Sequence, residues 1–290
     1  MLKLDEKKIR KGKPIGLPYI GSKKKVSKKI VEIIKQNFGS DKPVYDIFGG
    51  GGAITAELLL NGFEVHYNDL DSDITDMFVR VISQDREWIK TLIVSRNEFL
   101  DILSKSQKTV DDKLKLLINS FGNNQKNYLY GKRWSDAKYN FAVEIMKKHD
   151  VFGGYKQTEA YRNAIKQPRQ LQQLERLEQL ERLQQLEQLE QLEQLKITNR
   201  DYTAFSSVEN AVLYLDPPYE NAKNSYKFKF DHQSFYDWCV KMARKNIVII
   251  SSYDISDPRF GVSFEFNNAY GTLSGGCNTR KHERLFMVKK

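Results

Sequence analysis

Four consecutive glycines, Gly49–Gly52, separate a short apolar segment from a run of helix-forming residues. The preceding segment, Pro43–Phe48, is typical of a short buried strand, and Ala53–Asn61 favours a helix. The segment that follows, Phe63–Tyr67, alternates as a strand does and leads to the acidic residue Asp69. Strand, glycine loop, helix and strand in this order predict one βαβ unit, so the chain is expected to adopt an α/β fold.

Three further strands are predicted near the carboxyl end, at Ala211–Leu215, Asn246–Ser251 and Arg284–Val288, because each is short, apolar and rich in β-forming residues. Ser234–Arg244, between the first two, has helical periodicity. Strands alternating with helices predict a mostly parallel sheet, and its strands come from both ends of the chain.

The middle of the chain, from about Thr75 to Lys196, has few strand-like segments and a helical composition. We therefore expect two domains. Residues 1–75 and 196–290 would form a catalytic, cofactor-binding domain, and residues 76–195 an inserted, mainly helical domain.

A low-complexity repeat ends the insert, with leucine at every third position from Leu171 to Leu195. In an α-helix a step of three residues turns about 300°, so the leucines would wind around the helix and need apolar neighbours on several sides. A 3₁₀ helix would place them on one stripe, but long 3₁₀ runs are uncommon. We favour an α-helix, with a 3₁₀ helix as the alternative, and interpret the repeat as a structural spacer.

Net charge indicates a polyanionic partner. The chain carries +10, and residues 1–35 hold eleven lysines and one arginine against three acidic residues. Nucleic acid is the first candidate, although a lysine-rich solvated surface would give the same balance. The loop Ser120–Asp136 mixes amides, aromatics and cations. Six of its side chains are expected to stack on bases or contact phosphates, unless the aromatic ones pack beneath the loop: Phe121, Tyr128, Tyr130, Lys132, Arg133 and Trp134.

Other features of the sequence exclude several classes of protein. No window approaches 18 consecutive apolar residues, and the amino terminus has no apolar segment of a secretory signal, so a cytoplasmic protein without membrane contact is expected. Two cysteines are too few for a disulfide framework or a cysteine-based zinc site. The four histidines show no ligand spacing, and no metal is expected.

The glycine loop can approach a ligand closely because it has no Cβ atoms. It lacks the lysine and hydroxyl residue of a phosphate-binding P-loop, and Ile54 stands where a dinucleotide motif has its third glycine. Asp69 follows one strand later, where an acidic side chain accepts hydrogen bonds from ribose hydroxyls. These features predict an adenosine-containing cofactor, and both a dehydrogenase and a methyltransferase fit.

The segment Asp216-Pro217-Pro218-Tyr219 favours the methyltransferase. It follows an apolar strand, and open α/β sheets bind ligands at that end of their strands. Asp216 and the Pro217 carbonyl can each accept one hydrogen of an exocyclic amine, turning its lone pair toward an electrophile. The two prolines stiffen the turn, and Tyr219 offers a face on which a base can stack.

Together these motifs resemble Dam-type DNA adenine-N6 methyltransferases over nearly the whole chain. The segment from Pro18 to Lys23 is similar to their amino-terminal motif, Phe48 to Gly52 to their cofactor loop, and Asp216 to Tyr219 to their catalytic motif. Tyr19 stands where the family often has tryptophan, and Ser22 where it has glycine. The segment from Arg280 to Leu285 is also similar to the family, without a role that we can assign.

The resemblance implies a Rossmann-like sheet that binds S-adenosyl-L-methionine and methylates N6 of an adenine flipped out of double-stranded DNA, without a metal or a catalytic cysteine. Implied catalytic residues are Asp216, Pro217, Pro218 and Tyr219. Implied cofactor-binding residues are Tyr19, Lys23, Phe48, Gly49, Gly51, Asp69 and, as a weaker match, Asp201. The insert would be the target-recognition domain. An N4-cytosine or RNA adenine methyltransferase stays open as an alternative. An NAD-dependent oxidoreductase would leave the Asp-Pro-Pro-Tyr segment unexplained, and a non-catalytic DNA-binding protein would not need the cofactor loop.

Overall fold

The computed structural model describes residues 1–19, 21–166, 174–189, 192, 195–220, 230–270 and 282–289. The chain divides into two compact units. The first comprises Met1–Pro14, Lys23–Thr75 and Gln194–Lys290, and the second comprises Ile15–Ser22 and Asp76–Glu193. No helix of the described residues is both long enough and apolar enough to cross a membrane.

A seven-stranded sheet forms the centre of the first unit, in the order β3-β2-β1-β4-β5-β7-β6. Its strands are β1 Val44–Asp46, β2 Val65–Asn68, β3 Lys196–Thr198, β4 Val212–Leu215, β5 Ile247–Ser252, β6 Phe260–Tyr270 and β7 His282–Val288. The first five strands are mutually parallel, and β7 lies antiparallel between β5 and β6. This order and these directions are those of a Rossmann-like sheet, so the predicted α/β fold class is confirmed.

Ten α-helices lie in the described residues. They are α1 Ser27–Phe38, α2 Ala53–Leu60, α3 Ser72–Ile82, α4 Arg86–Lys90, α5 Arg96–Ser104, α6 Val110–Ile118, α7 Ser135–His149, α8 Glu159–Ala164, α9 Glu178–Glu187 and α10 His232–Met242. In the first unit, α1, α2 and α10 cover the sheet. In the second unit the described residues form helices joined by loops, with one isolated bridge between Ser120 and Tyr128.

Helices cover both faces of the sheet, which explains why the central strand β4 is buried at every residue. Val212 and Tyr214 pack into a core with α1 and α2, whereas Leu213 and Leu215 pack into a second core with α10. Successive side chains of a strand point to opposite faces, so a strand buried on both faces has to be apolar throughout.

The strand predictions hold within one or two residues for β1, β2, β4, β5 and β7. Strand β6 was not predicted. It is an antiparallel strand at the edge of the sheet, and its polar residues, such as Ser263 and Glu265, interrupt the apolar pattern that marks a buried strand.

The described part of the leucine repeat is α-helical in α9, as favoured, and part of the repeat lies outside the described residues. The interpretation as a spacer is wrong. Helix α9 packs against α4, α6 and α7, and its neighbours surround it closely enough to bury leucines that wind around the helix. Each of these leucines is less than a tenth exposed: Leu174, Leu177, Leu180, Leu183, Leu186, Leu189 and Leu192.

Two polar side chains of the repeat are buried with the leucines. The Arg182 guanidinium donates from Nη1 to the carbonyls of Ile118 at 2.6 Å and Ser120 at 2.9 Å, and from Nη2 to Glu178 at 2.8 Å. Gln179 Nε2 donates to Asn119 Oδ1 at 2.5 Å. Arg182 thus satisfies the Ile118 carbonyl at the end of α6, which has no partner within its own helix, and also bonds the Ser120 carbonyl just beyond it. The repeat is therefore part of the core of the second unit.

Candidate active site

The predicted motifs of the first unit meet at one edge of its sheet. Strand β1 has β2 on one side and β4 on the other, so the chain order reverses between β1 and β4. Ligands bind at such a switch point, outside the carboxyl ends of the strands. The glycine loop follows β1 and the Asp-Pro-Pro-Tyr segment follows β4, and Ile47 N donates to Tyr214 O at 3.2 Å between the two strands.

The glycine loop needs its glycines for two different reasons. Gly50 and Gly52 have φ of 49° and 71°, a left-handed conformation that favours glycine. At Gly49 an added Cβ would lie 2.3 Å from Cε2 of Tyr67, whose hydroxyl donates to Gly50 O at 2.8 Å. Gly49 therefore allows the Tyr67 ring to pack beneath the loop, and Gly51 is buried beside it.

Asp69 joins the end of β2 to this loop. Its Oδ2 accepts from Gly50 N at 2.8 Å and its Oδ1 accepts from Asp71 N at 2.9 Å. Burial raises the pKa of Asp69, while these backbone hydrogen bonds lower it. Each carboxylate oxygen can accept a further hydrogen bond, so Asp69 can hold the loop and still accept from a ligand hydroxyl.

Asp46, at the end of β1, is a buried carboxylate that the sequence analysis missed. Its Oδ2 accepts from Thr55 N at 3.1 Å and from Thr55 Oγ1 at 2.7 Å. Its Oδ1 is buried and has no hydrogen-bond partner among the described residues. Burial raises the pKa of Asp46 to about 7. Its position as an acidic residue just before the glycine loop was the signal available in the sequence.

Phe48 and Asp201 lie at the same edge. The Phe48 ring contacts Tyr202, Phe230 and Phe235, with centroids 5.7 to 6.3 Å apart. Asp201 is exposed, and its Oδ1 accepts from Thr203 N at 3.0 Å, which caps the 3₁₀ turn Tyr202–Phe205. The strand before Asp201, β3, pairs with β2.

Lys23 lies against the Asp-Pro-Pro-Tyr segment. Its Nζ is 2.8 Å from Asp216 Oδ1 and 2.5 Å from the Tyr219 hydroxyl. Burial lowers the pKa of Lys23, but the carboxylates of Asp216 and Glu283 outweigh burial and raise it to about 12. Burial raises the pKa of Asp216 to about 6, and the Lys23 charge opposes that rise.

Glu283, on β7, completes this cluster and was also missed. Its Oε1 accepts from the Tyr219 hydroxyl at 2.8 Å and from Ser251 Oγ at 2.7 Å, and its Oε2 lies 3.7 Å from Lys23 Nζ. The signal in the sequence was an acidic residue next to an apolar strand, in a segment that resembled the family without an assigned role.

The turn around the prolines is held from α10. His232 Nε2 lies 2.9 Å from the carbonyl oxygen of Pro218, and Pro217 is buried. Beyond the turn, the Tyr219 ring meets the edge of Tyr253 with centroids 4.6 Å apart. The ring of Tyr219 is thus held by contacts at its hydroxyl and on one side.

Two predicted residue sets belong to the second unit. Tyr19 is half-buried there. In the loop Ser120–Asp136, Phe121 is 67% exposed, and Lys132 and Arg133 are exposed too. Tyr128 and Tyr130 are buried, so the expectation that they stack on bases is wrong. They pack beneath the loop instead, and the Tyr128 hydroxyl donates to Val94 O at 2.8 Å.

Within the described part of the chain, no cluster of three or more histidine, cysteine, aspartate or glutamate side chains could hold a metal ion. Cys239 is buried in α10, and burial raises the pKa of its thiol.

Comparison with known proteins gives one informative match. The model of the family described as "D12 class N6 adenine-specific DNA methyltransferase" matches residues 19–238. A search of curated proteins found no match. Among solved structures, the chain is similar to a "putative methylase" from Haemophilus influenzae, at 10% identity and a TM-score of 0.34, over 91% of this chain and 89% of the other. A likeness at that level carries no argument about fold or function.

Proposed function

The chain belongs to the D12 class of N6 adenine-specific DNA methyltransferases, and from this premise we propose how it acts. It is a site-specific enzyme that transfers the methyl group of S-adenosyl-L-methionine to an adenine rotated out of double-stranded DNA. The observation that carries the proposal is the Lys23–Asp216 pair beside the glycine loop, at the switch point of the sheet.

The residues at this edge suit such a cofactor. S-adenosyl-L-methionine supplies an electrophilic methyl group when it is bound. The unpartnered Oδ1 of Asp46 offers a buried acceptor behind the glycine loop, and Asp69 retains acceptor capacity for ribose hydroxyls. Family resemblance adds the remaining candidates for cofactor contact: Tyr19, Lys23, Phe48, Gly49, Gly51 and Asp201.

In this proposal the Asp-Pro-Pro-Tyr segment orients the target amine. Asp216 and the Pro217 carbonyl accept the two N6 hydrogens, so that the nitrogen lone pair points at the methyl group. The negative charge of Asp216 stabilises the positive charge that develops on nitrogen during transfer. Pro218 keeps the turn rigid, and Tyr219 stacks on the base.

Lys23 helps to keep Asp216 ionised for this role. The ammonium group lies 2.8 Å from one carboxylate oxygen and opposes the effect of burial on the Asp216 pKa. Only the ionised carboxylate accepts an N–H hydrogen bond with both of its oxygens. Lys23 would therefore hold Asp216 in the protonation state that the amine requires.

Rotation of adenine out of the stack costs a few kcal/mol and brings N6 to the pocket. We propose that residues 76–195 form the target-recognition domain and residues 1–75 with 196–290 the catalytic domain. The exposed cations Lys132 and Arg133 and the exposed lysines of residues 1–35 would contact backbone phosphates.

Methyl transfer from labelled S-adenosyl-L-methionine to unmethylated duplex DNA tests the proposal, with nucleosides identified by mass spectrometry. We expect N6-methyladenine with the native chain and at least a hundredfold loss of rate with Asp216→Asn, which keeps the side-chain shape but removes its charge. N4-methylcytosine would overturn the base assignment. Label in RNA alone would overturn the DNA substrate. Undiminished turnover by Asp216→Asn would remove Asp216 from the mechanism.

A further inference from the structure

We infer that Glu283, on the antiparallel strand β7, is a positioning residue for this methyl transfer. It sets the positions of Lys23 and Tyr219, the two side chains that border Asp216. The inference rests on the proposed function, because it assumes that Asp216 and Tyr219 hold the target adenine. Glu283 lies beyond residues 19–238, over which the family model matches.

The geometry of Glu283 connects both ends of the Asp-Pro-Pro-Tyr segment. The Tyr219 hydroxyl donates to its Oε1 at 2.8 Å, while its Oε2 lies 3.7 Å from Lys23 Nζ, which in turn contacts Asp216 at 2.8 Å. One carboxylate thus restrains the ring proposed to stack on the base and the ammonium group beside the amine acceptor.

The surroundings of Glu283 indicate that its own position is fixed. Its side chain is 8% exposed, and Ser251 Oγ on the neighbouring strand β5 donates to Oε1 at 2.7 Å. A buried carboxylate is costly unless it is paired and hydrogen-bonded, and Glu283 meets both conditions. An anchor on two paired strands is stiffer than one on a loop, so it can hold the tyrosine ring to the tolerance that catalysis demands.

Charge distinguishes this role from a purely structural one. Two carboxylates, Asp216 and Glu283, share the single ammonium of Lys23. An ion pair that served stability alone would need only one of them. The second carboxylate leaves the cluster negative, and a cationic methyl donor and a nitrogen that becomes positive both favour a negative environment.

Removal of the Glu283 charge should also be visible at Asp216. The charged and titratable groups that face Asp216 are Lys23 from the turn before α1, Asp46 from β1, Tyr214 from β4, Tyr219 from its own segment, Tyr253 after β5 and Glu283 from β7. Among them Glu283 raises the pKa of Asp216 and Lys23 lowers it. A neutral residue at 283 should therefore let Asp216 ionise at lower pH.

The test compares Glu283→Gln with the native chain in steady-state methylation of duplex DNA from pH 5 to pH 9. We expect kcat to fall ten- to a hundredfold, with KM for DNA changed less than threefold, because a misplaced reacting group costs rate more than binding. The acid limb of kcat/KM reports the ionisation of Asp216 in this proposal, and it should move to lower pH because the Glu283 charge raises the pKa of Asp216.

Glu265→Gln is the matched control, because it removes a carboxylate from the adjacent strand β6 that pairs with Arg284 at 3.2 Å. It should leave kcat and the acid limb unchanged. Glu283→Asp keeps the charge and shortens the side chain, so it should lower kcat without moving the acid limb. If Glu283→Gln does not fold, Glu283→Asp alone tests the inference.

Two results would overturn the inference. One is native kcat with an unmoved acid limb in Glu283→Gln. The other is a loss of kcat matched by a loss of folded protein, with the acid limb unmoved, since that describes a structural residue. Asp216→Asn separates this failure from that of the proposed function: if Asp216→Asn is inactive while Glu283→Gln behaves as the native chain, only the inference on Glu283 fails.

Discussion

The carboxylate of Asp46 is buried, and its burial makes the stability of the folded chain depend on pH. Burial raises its pKa in the folded chain to about 7, whereas an aspartate in an unfolded chain titrates near pH 4. Between these values the folded state binds more protons than the unfolded state. The contribution of Asp46 to stability is therefore present below about pH 4 and is lost as the pH rises through about 7.

Asp46→Asn should remove this dependence, because asparagine stays neutral and its carbonyl oxygen can still accept from Thr55. We expect the melting temperature of Asp46→Asn, measured relative to the native chain, to rise between pH 5 and pH 8. Asp101→Asn, at an exposed position, is the control and should follow the native curve. Parallel curves for Asp46→Asn and the native chain would show that Asp46 is ionised without penalty.

At the scale of single residues, the sequence identified residue types more reliably than their partners. Asp216 and Tyr219 were predicted because their motif consists of four adjacent residues, whose types together indicate the chemistry. Glu283 was not assigned a role, because its partners Lys23 and Tyr219 are 260 and 64 positions away in the chain. Such an interaction exists only after the sheet has placed β7 beside β5.

At the scale of elements, the leucine repeat gives a direct test of its place in the core. Leu183 is fully buried in α9, so Leu183→Ala should reduce the free energy of unfolding by about 2 to 5 kcal/mol. Gln188→Ala, at a half-buried position just after the helix, is the control and should change it by less than about 0.5 kcal/mol. Chemical denaturation measures both. A Leu183→Ala variant as stable as the control would restore the interpretation as a spacer.

Elements that are buried on both faces were predicted well, and elements that depend on their neighbours were not. Strand β4 could be predicted from the sequence because both of its faces are apolar. The edge strand β6 has no such pattern, and among the described strands its one neighbour is β7. The burial of Tyr128 and Tyr130 depends on helices elsewhere in the second unit, which no local pattern reveals.

At the scale of the whole molecule, the net charge of +10 makes DNA affinity dependent on salt. If Lys132 and Arg133 bind phosphates, their replacement by glutamine should weaken DNA binding. The slope of log affinity against log salt concentration should also become shallower, by about 1 for each phosphate that the variant no longer neutralises. Fluorescence anisotropy with one duplex between 50 and 200 mM salt, concentrations over which such ionic interactions are strongly weakened, measures this slope.

The same charge change at a different place controls for net charge. Lys241 and Arg244 are exposed at the end of α10, and their double replacement by glutamine should leave the slope nearly unchanged. If both double variants kept the native slope, the loop Ser120–Asp136 would bind no phosphate of its own. The charge of the chain would then act only at long range.

The leucine repeat has translational degeneracy. A shift of the chain by three residues along α9 puts a leucine in the place of every leucine, so the apolar contacts alone do not distinguish one register from the next. The polar residues, in contrast, distinguish one register from the next. The same shift would bring Gln185 to the place of Arg182 and leave the carbonyls of Ile118 and Ser120 without the guanidinium that now satisfies them. Gln179 and Arg182 therefore select one threading of the helix from several of nearly equal hydrophobic energy.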